Sequence, residues 1–201
     1  MRGGSGVRLP LMLFLETSAE PLTVLPTHRL VAGLGPDGVA RLRDRLGELF
    51  SVTPADSDQL LAAFGGRADV RGGDGRFGIW TRDGGALLTA RRAAFEPLLP
   101  AGGPTVRRLD VVLLGVALEQ LAGIDPDAVA AGGGVSFTKS AADGVDAVDH
   151  ARDDVDAVFL LEPTPVASIA AVAAEGDVMP QKSTYFYPKA LTGLVLNPHE
   201  W

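Results

Sequence analysis

Apolar positions recur along the chain with two different periods, and the switches between them mark out the elements. Leu9-Pro-Leu-Met-Leu-Phe-Leu15 is a continuous apolar run of strand length, the pattern of a central strand covered on both faces. Leu22 to Leu25 reads as extended, and Pro26-Thr27-His28-Arg29 interrupts it before Leu30 and Val31. Gly35-Pro36-Asp37 then opens a helix whose Val39, Leu42, Leu46 and Leu49 form an apolar stripe, with Arg41, Arg43, Asp44, Arg45 and Glu48 largely opposite. Phe50 to Thr53 suits a short strand. Asp56 or Ser57 caps a second helix carrying Leu60, Leu61 and Phe64, which Gly65-Gly66 ends.

The second half follows the same grammar. Phe77 to Trp80 and Ala86 to Arg91 flank an Asp-Gly turn, which predicts a hairpin near residues 77–91. From Thr105 to Leu121 the positions Leu109, Val112, Leu113, Val116, Ala117 and Leu121 keep helical spacing, predicting the longest helix and the main support of the core. Val135 to Thr138 is a short strand, Ala141 to Arg152 a polar helix, and Asp156 to Leu161 an apolar strand. Val166 to Ala174 presents Val166, Ile169, Ala170 and Ala173 as a last apolar face, and Ala190 to Leu196 is expected as a closing strand. Strands and helices alternate, but the hairpin brings antiparallel pairing. The fold class expected is therefore α+β or a mixed α/β sheet with flanking helices, in a single domain spanning residues 1–201.

Composition narrows the function classes. A net charge of -7 over 201 residues provides no general basic field, which argues against nucleic acid or an anionic membrane surface as partner. There is no cysteine, which removes thiolate catalysis, zinc–thiolate sites and disulfides and suits a reducing cytoplasm, the expected location. Arg2 and Arg8 before Leu9 to Leu15 imitate a secretory signal, but Glu16 cuts the run short. A buried strand is the preferred reading, and no stretch approaches the roughly 18 to 20 apolar residues of a membrane span.

The chain carries fifteen arginines and only three lysines, Lys139, Lys182 and Lys189, so each lysine is informative. Two of them lie with both tyrosines inside Gln181-Lys182-Ser183-Thr184-Tyr185-Phe186-Tyr187-Pro188-Lys189. Read as extended, this segment sends Ser183, Tyr185 and Tyr187 one way and Lys182, Thr184 and Phe186 the other. An ammonium and two hydroxyls in succession can gather around a phosphate or carboxylate oxygen. A structural strand whose aromatics fill the core explains the same residues, as does a partner interface, and all three readings stay open. Lys-Ser-Thr lacks the glycines of a Walker motif. The second candidate is Thr27, His28 and Arg29: His28 as general acid or base, Arg29 as a bidentate clamp on an anion. His150 among Asp143, Asp146, Asp149, Asp153 and Asp154 reads as a solvated acidic face, and no metal site is expected.

Leu25-Pro-Thr-His-Arg-Leu-Val31, Phe159-Leu-Leu-Glu-Pro-Thr164, Met179-Pro-Gln-Lys-Ser-Thr-Tyr-Phe-Tyr-Pro-Lys189 and Thr192-Gly-Leu-Val195 occur in this order. With them the chain resembles the domain-of-unknown-function 1015 family of bacteria and archaea. The resemblance covers the C-terminal half of the family fold. It implies a missing N-terminal half bearing a His-Glu-x-Thr and an Asp-Gly-His-His-Arg-like element, with that half as a partner or self-association in its place. It also implies a distant relation to the partition-protein-B and sulfiredoxin superfamily, and through it phosphoryl transfer to a small, serine-like hydroxy or amino acid. On that reading ATP or ADP with Mg is the implied cofactor and a small anion the ligand. His28 and Arg29 would be catalytic, and Thr27, Gln181, Lys182, Ser183, Thr184, Tyr185 and Lys189 would contact ligand or phosphate. A non-catalytic module for phosphorylated metabolites and a purely structural half are the alternatives.

Overall fold

The computed structural model describes residues 23–66, 74–126, 129, 133–187 and 189. Eight strands and six helices are formed among them. They are β1 (Thr23–Leu25), β2 (His28–Ala32), α1 (Gly35–Leu49), β3 (Phe50–Ala55), α2 (Ser57–Phe64), β4 (Arg76–Thr81) and β5 (Gly84–Ala90). There follow α3 (Arg92–Phe95), α4 (Asp110–Ala122), β6 (Val135–Thr138), α5 (Ala141–Asp149), β7 (Val155–Leu161), α6 (Val166–Ala174) and β8 (Tyr185–Tyr187). Six strands form one sheet in the order β3-β5-β4-β7-β2-β6, and β1 pairs with β8 in a separate ribbon. The α+β reading holds. Every strand pair is antiparallel, so the parallel component of the mixed α/β alternative is not present among the described residues.

Helices cover both faces of the large sheet. On one side α1, α3 and α4 bury Leu42, Leu46, Phe95, Leu113 and Leu114 against Val31, Phe77, Phe159 and Leu161. On the other, α2 and α5 bury Leu60, Phe64 and Val148 against Leu30, Val158 and Leu160. All of β7 is buried, which is why Ala157 to Leu161 is a continuous apolar run and not an alternating one. Each side chain taken fully out of water in these layers contributes about 1.5–3 kcal/mol. Phe50 meets Phe77 and Phe95 edge to face at 5.6 and 5.4 Å, joining β3, β4 and α3.

Local polar chemistry sets the ends of these elements. Asp56 and Gln59 form a reciprocal capping box on α2. The start of α1 has no cap from its own sequence. A bulge supplies one instead: β2 pairs Val31 with Ala157 and Ala32 with Val155, which leaves Asp156 as the extra residue. Its carboxylate accepts the Leu34 and Gly35 N–H groups at 2.8 and 3.0 Å.

Four sequence expectations are corrected. His28 and Arg29 do not interrupt the chain but open strand β2. The helix expected from Thr105 starts at Asp110 after a 3-10 turn at Val106–Arg108, so α1 with 15 residues exceeds α4 with 13. In α6 Val172 is the buried residue, whereas Ala170 and Ala173 are exposed. Gln181, Lys182 and Ser183 form a turn, with Lys182 in the left-handed region at φ 55°, so the extended alternation begins only at β8. The runs Leu9 to Leu15 and Ala190 to Leu196 lie outside the described residues.

Candidate functional site

The two sequence motifs meet at one point, the carbonyl of Lys182. Thr27 Oγ1 donates to it at 2.8 Å and Arg29 Nη2 at 3.3 Å. Arg29 Nη1 donates to Thr27 Oγ1 at 2.8 Å and also to the Thr27 carbonyl. The turn that presents this carbonyl is closed from within. Ser183 Oγ donates to the Pro180 carbonyl, and Thr164 Oγ1 donates to the Ser183 carbonyl at 2.9 Å. Ser183, expected among the phosphate ligands, is thus a buried turn residue with its hydroxyl engaged in the fold. Thr184 is half-buried, while Gln181 and Lys182 are exposed.

Arg29 is 7% exposed, and among the described residues no carboxylate pairs with it. Its guanidinium lies 4.9 Å from the centre of the Phe137 ring, its cross-strand neighbour. Burial pushes its pKa down to about 10, which leaves it cationic at neutral pH. Five N–H donors serve three hydrogen bonds to neutral oxygens, and a buried charge satisfied in this way remains uncompensated. Arg29 borders a cavity of about 350 Å³ between α4 and β6, lined by Val111, Gly115, Leu118, Phe137 and other apolar groups, together with Gln181 and Lys182. An apolar cleft with few convergent polar groups is the ordinary form of a small-ligand site.

His28 does not share this cleft. Alternation along β2 puts Arg29 with Val31 on the α1/α4 face and His28 with Leu30 on the α2/α5 face. The imidazole is fully buried, and its Nδ1 accepts the Leu161 N–H at 3.1 Å, which assigns the ring proton to Nε2. Nε2 has no hydrogen-bond partner among the described residues. Burial first, and then the Arg29 charge, pushes the His28 pKa down to about 4. His28 and Arg29, expected together as catalytic residues, are adjacent on β2 and so point to opposite faces of the sheet. The ring serves as a neutral acceptor tying β2 to the end of β7.

A third lysine joins the site from outside the segment that the sequence singled out. Lys139 Nζ lies 4.3 Å and Lys189 Nζ 4.4 Å from the centre of the Tyr185 ring. All three lysines of the chain therefore gather around β8 and the turn before it. The scarcity of lysine was the signal that marked Lys182 and Lys189, and applied to Lys139 it would have found the remaining member. Tyr187 is exposed, while Phe137, the floor beneath Arg29, had no sequence signal beyond strand propensity. His150 is an exposed partner of Asp146, as a solvated acidic face requires. Among the described residues no group of three or more acidic or histidine side chains is placed to hold a metal ion, and no helix is long and apolar enough to cross a membrane.

No family model matches the chain, and no curated protein matches it. Among solved structures it is similar to free serine kinase in complex with AMP, at 13% identity and a TM-score of 0.48, over 87% of this chain and 57% of that one. A single-residue variant of free serine kinase in complex with ADP gives 15% identity and a TM-score of 0.47 over the same shares. The chain spans 57% of the length of these structures.

Proposed function

We propose that the cleft beside Arg29 binds the anionic group of a phosphorylated small molecule, and that the chain is part of an enzyme transferring a phosphoryl group to a serine-like hydroxy or amino acid. The observation that carries the binding half is the buried guanidinium with no carboxylate partner among the described residues, open to a cavity that Lys182 also borders. An anion entering there supplies the missing counter-charge. Preorganised cations of this kind act on the charge that spreads over phosphoryl oxygens, and they need no reorganisation during the transfer. The transfer half of the proposal rests on the family resemblance of the Met179 to Lys189 segment.

Each residue then has a defined part. Arg29 holds the anion, and Thr27 fixes Arg29 through both its oxygens. Lys182 and Gln181 border the cleft, while Lys139 and Lys189 gather on the Tyr185 ring outside its lining. ATP or ADP, the donor implied by the resemblance, fits the cationic side of this arrangement, with Arg29 and Lys182 as the groups that would hold its phosphates. The described residues do not themselves form a Mg site. Among those lining the cleft there is also no carboxylate or imidazole to take the proton of an attacking hydroxyl. That last observation favours a second reading, a binding module for phosphometabolites without turnover.

One experiment separates the two. The chain and its Arg29→Met variant are incubated with ADP or ATP, Mg and serine, and phosphoserine is followed by mass spectrometry alongside calorimetric titration of the nucleotide. The enzyme reading expects product once the N-terminal half implied by the resemblance is supplied alongside the parent chain, and at least a hundredfold slower formation with the variant, on the order of 3 kcal/mol of lost stabilisation. Binding without product across a panel of hydroxy acids leaves the binding module. Absence of both refutes the site.

A further inference from the structure

We propose a second oxyanion site, in a cavity between α3 and the 3-10 turn that precedes α4, with Arg107 and Arg108 as its donors and a small phosphate ester or carboxylate as its ligand. It is independent of the reading of Arg29. Among the described residues the cavity shares no lining with the cleft, although α4 borders both, through Leu113 here and through Val111, Gly115 and Leu118 there.

About 470 Å³ in volume, this cavity is lined by Arg92, Arg107 and Arg108, and Glu96 is the one carboxylate among its described lining residues. The chain as a whole is acidic, with a net charge of -7, so a local excess of cations departs from its average. Phe95 and Leu113, both fully buried, supply apolar wall. A cavity lined chiefly by one sign of charge against apolar walls concentrates its field on whatever enters.

The three guanidiniums differ in what they have left to give. Arg92 is engaged within the fold, with the Arg108 carbonyl at 3.4 Å among its partners. Arg107 donates through Nη2 alone, to the Glu96 carboxylate at 2.9 Å and the Glu96 carbonyl at 3.4 Å. Its Nε–H is buried and has no hydrogen-bond partner among the described residues. A buried donor left unpaired is costly, and in a native protein it calls for an acceptor. The Arg108 side chain is exposed and makes no hydrogen bond or ion pair among the described residues. Both cations stand on a backbone that is already fixed. The Asp177 carboxylate accepts the Gly103 N–H and that of Glu175 the Thr105 N–H at 3.1 Å, which ties the segment to the end of α6. The Arg107 N–H then closes on the Gly103 carbonyl at 3.2 Å and the Arg108 N–H on the Thr105 carbonyl at 3.0 Å. Such preorganisation lowers the ordering cost of binding. Guanidinium forks match the paired oxygens of carboxylate and phosphate, so a small oxyanion is the ligand that this arrangement recognises.

The test titrates the full chain with inorganic phosphate and with succinate, by calorimetry at constant ionic strength, in the parent and in an Arg29→Met background that removes the cleft from the measurement. Binding of at least one probe by the Arg29→Met chain is expected, and the preferred probe tells phosphate chemistry from carboxylate chemistry. In that background Arg108→Gln, a change at an exposed side chain, is expected to weaken binding about tenfold, and Arg107→Gln at least as much. Glu96→Gln removes the carboxylate that competes for Arg107 and is expected to tighten binding about threefold, a gain that misfolding cannot imitate.

The two sites fail separately. If the parent binds phosphate and the Arg29→Met chain binds neither probe, the cleft stands and the second site is overturned. Binding that Arg108→Gln and Glu96→Gln both leave within twofold also overturns it, because the anion then sits elsewhere. If the Arg29→Met chain binds as the parent does and Arg108→Gln abolishes that binding, the second site stands and the reading of Arg29 falls.

Discussion

The two faces of the large sheet are built from the same kinds of residue and do opposite things with their interior. Gly144 on the α2/α5 side brings α5 so close to β7 that a methyl group there would overlap Val158. On the α1/α4 side, a Cβ at Gly115 would have no described residue within 4 Å. The adjacent residues His28 and Arg29 repeat the contrast, one on each face. His28 is uncharged and holds the Leu161 N–H. Arg29 remains charged beside a cavity with no carboxylate partner among the described residues. One face is sealed and the other holds space and charge in reserve, as a binding surface requires. Position on the sheet, more than residue type, decides which polar group is structural and which is available.

The harshest way to break this contrast is to put the same side chain on both glycines. Gly144→Leu forces four carbons into the packed layer under Val158 and is expected to cost about 3 kcal/mol, the upper end of overpacking effects. Gly115→Leu fills open space and should leave stability within about 1 kcal/mol of the parent. Urea denaturation of the two variants measures the difference directly. Equal losses in both would mean that the α4 cleft is closed in solution.

His28 offers a test of the sealed face by pH. Its pKa is about 4 in the folded protein against about 6.5 in the unfolded chain, so between these values the unfolded state binds the proton and the folded state does not. Stability is therefore full above about pH 6.5 and falls as pH is lowered towards 4. The whole shift corresponds to about 3 kcal/mol. His28→Asn keeps an acceptor for Leu161 and removes the titration, so its stability should be flat across the same window. A parallel decline in the variant would assign the acid sensitivity to other groups.

Much of the fold beneath this contrast was legible in the sequence, while the contrast itself was not, for identifiable causes. The stripe Val39, Leu42, Leu46, Leu49 was sufficient to place α1 and its buried face, because an amphipathic helix encodes its orientation in its own period. Asp56 or Ser57 marked the start of α2, where Asp56 proves to be the cap, and the turn after Thr81 marked the hairpin, since caps and turns are local chemistry. Local signals misled at Pro26 to Arg29, where a proline beside polar residues suggests a turn. There tertiary pairing with β6 and β7 made His28 and Arg29 strand residues and sent them to opposite faces. The cleft itself left no pattern. It arises from where α4 lies over β6, and its best single marker, Gly115, looks in sequence like one more glycine among 25. Lys139 shared the scarcity that marked the other two lysines, but its place beside Tyr185, 46 positions away, comes only from the fold.

A milder break of the comparison concerns charge. Arg29→Met replaces a buried, uncompensated cation by an apolar side chain of similar length. Three hydrogen bonds to neutral oxygens are lost, but Thr27 Oγ1 remains bonded to the Lys182 carbonyl and the desolvated charge disappears. These effects offset one another, so stability is expected to change by no more than about 1 kcal/mol in either direction while phosphate binding in the cleft is lost. A loss above about 3 kcal/mol in denaturant would mark Arg29 as a structural residue and remove the chief support for the anion site.

The smallest perturbation is the most discriminating, because it asks only for the sign of a single methyl group. Replacing glycine by alanine inside a helix gains about 0.5–1 kcal/mol from backbone entropy wherever the methyl has room. Gly115→Ala has that room and should show the gain in full. At Gly144 the same gain is opposed by contact with Val158, a stiff side chain that moves only with its strand. Overpacking of about 1–3 kcal/mol then outweighs it and leaves a net loss near 1 kcal/mol. Opposite signs in the two alanine variants, measured side by side in denaturant, locate the empty volume on one face of the sheet. Equal signs would dissolve the distinction between the sealed face and the open one.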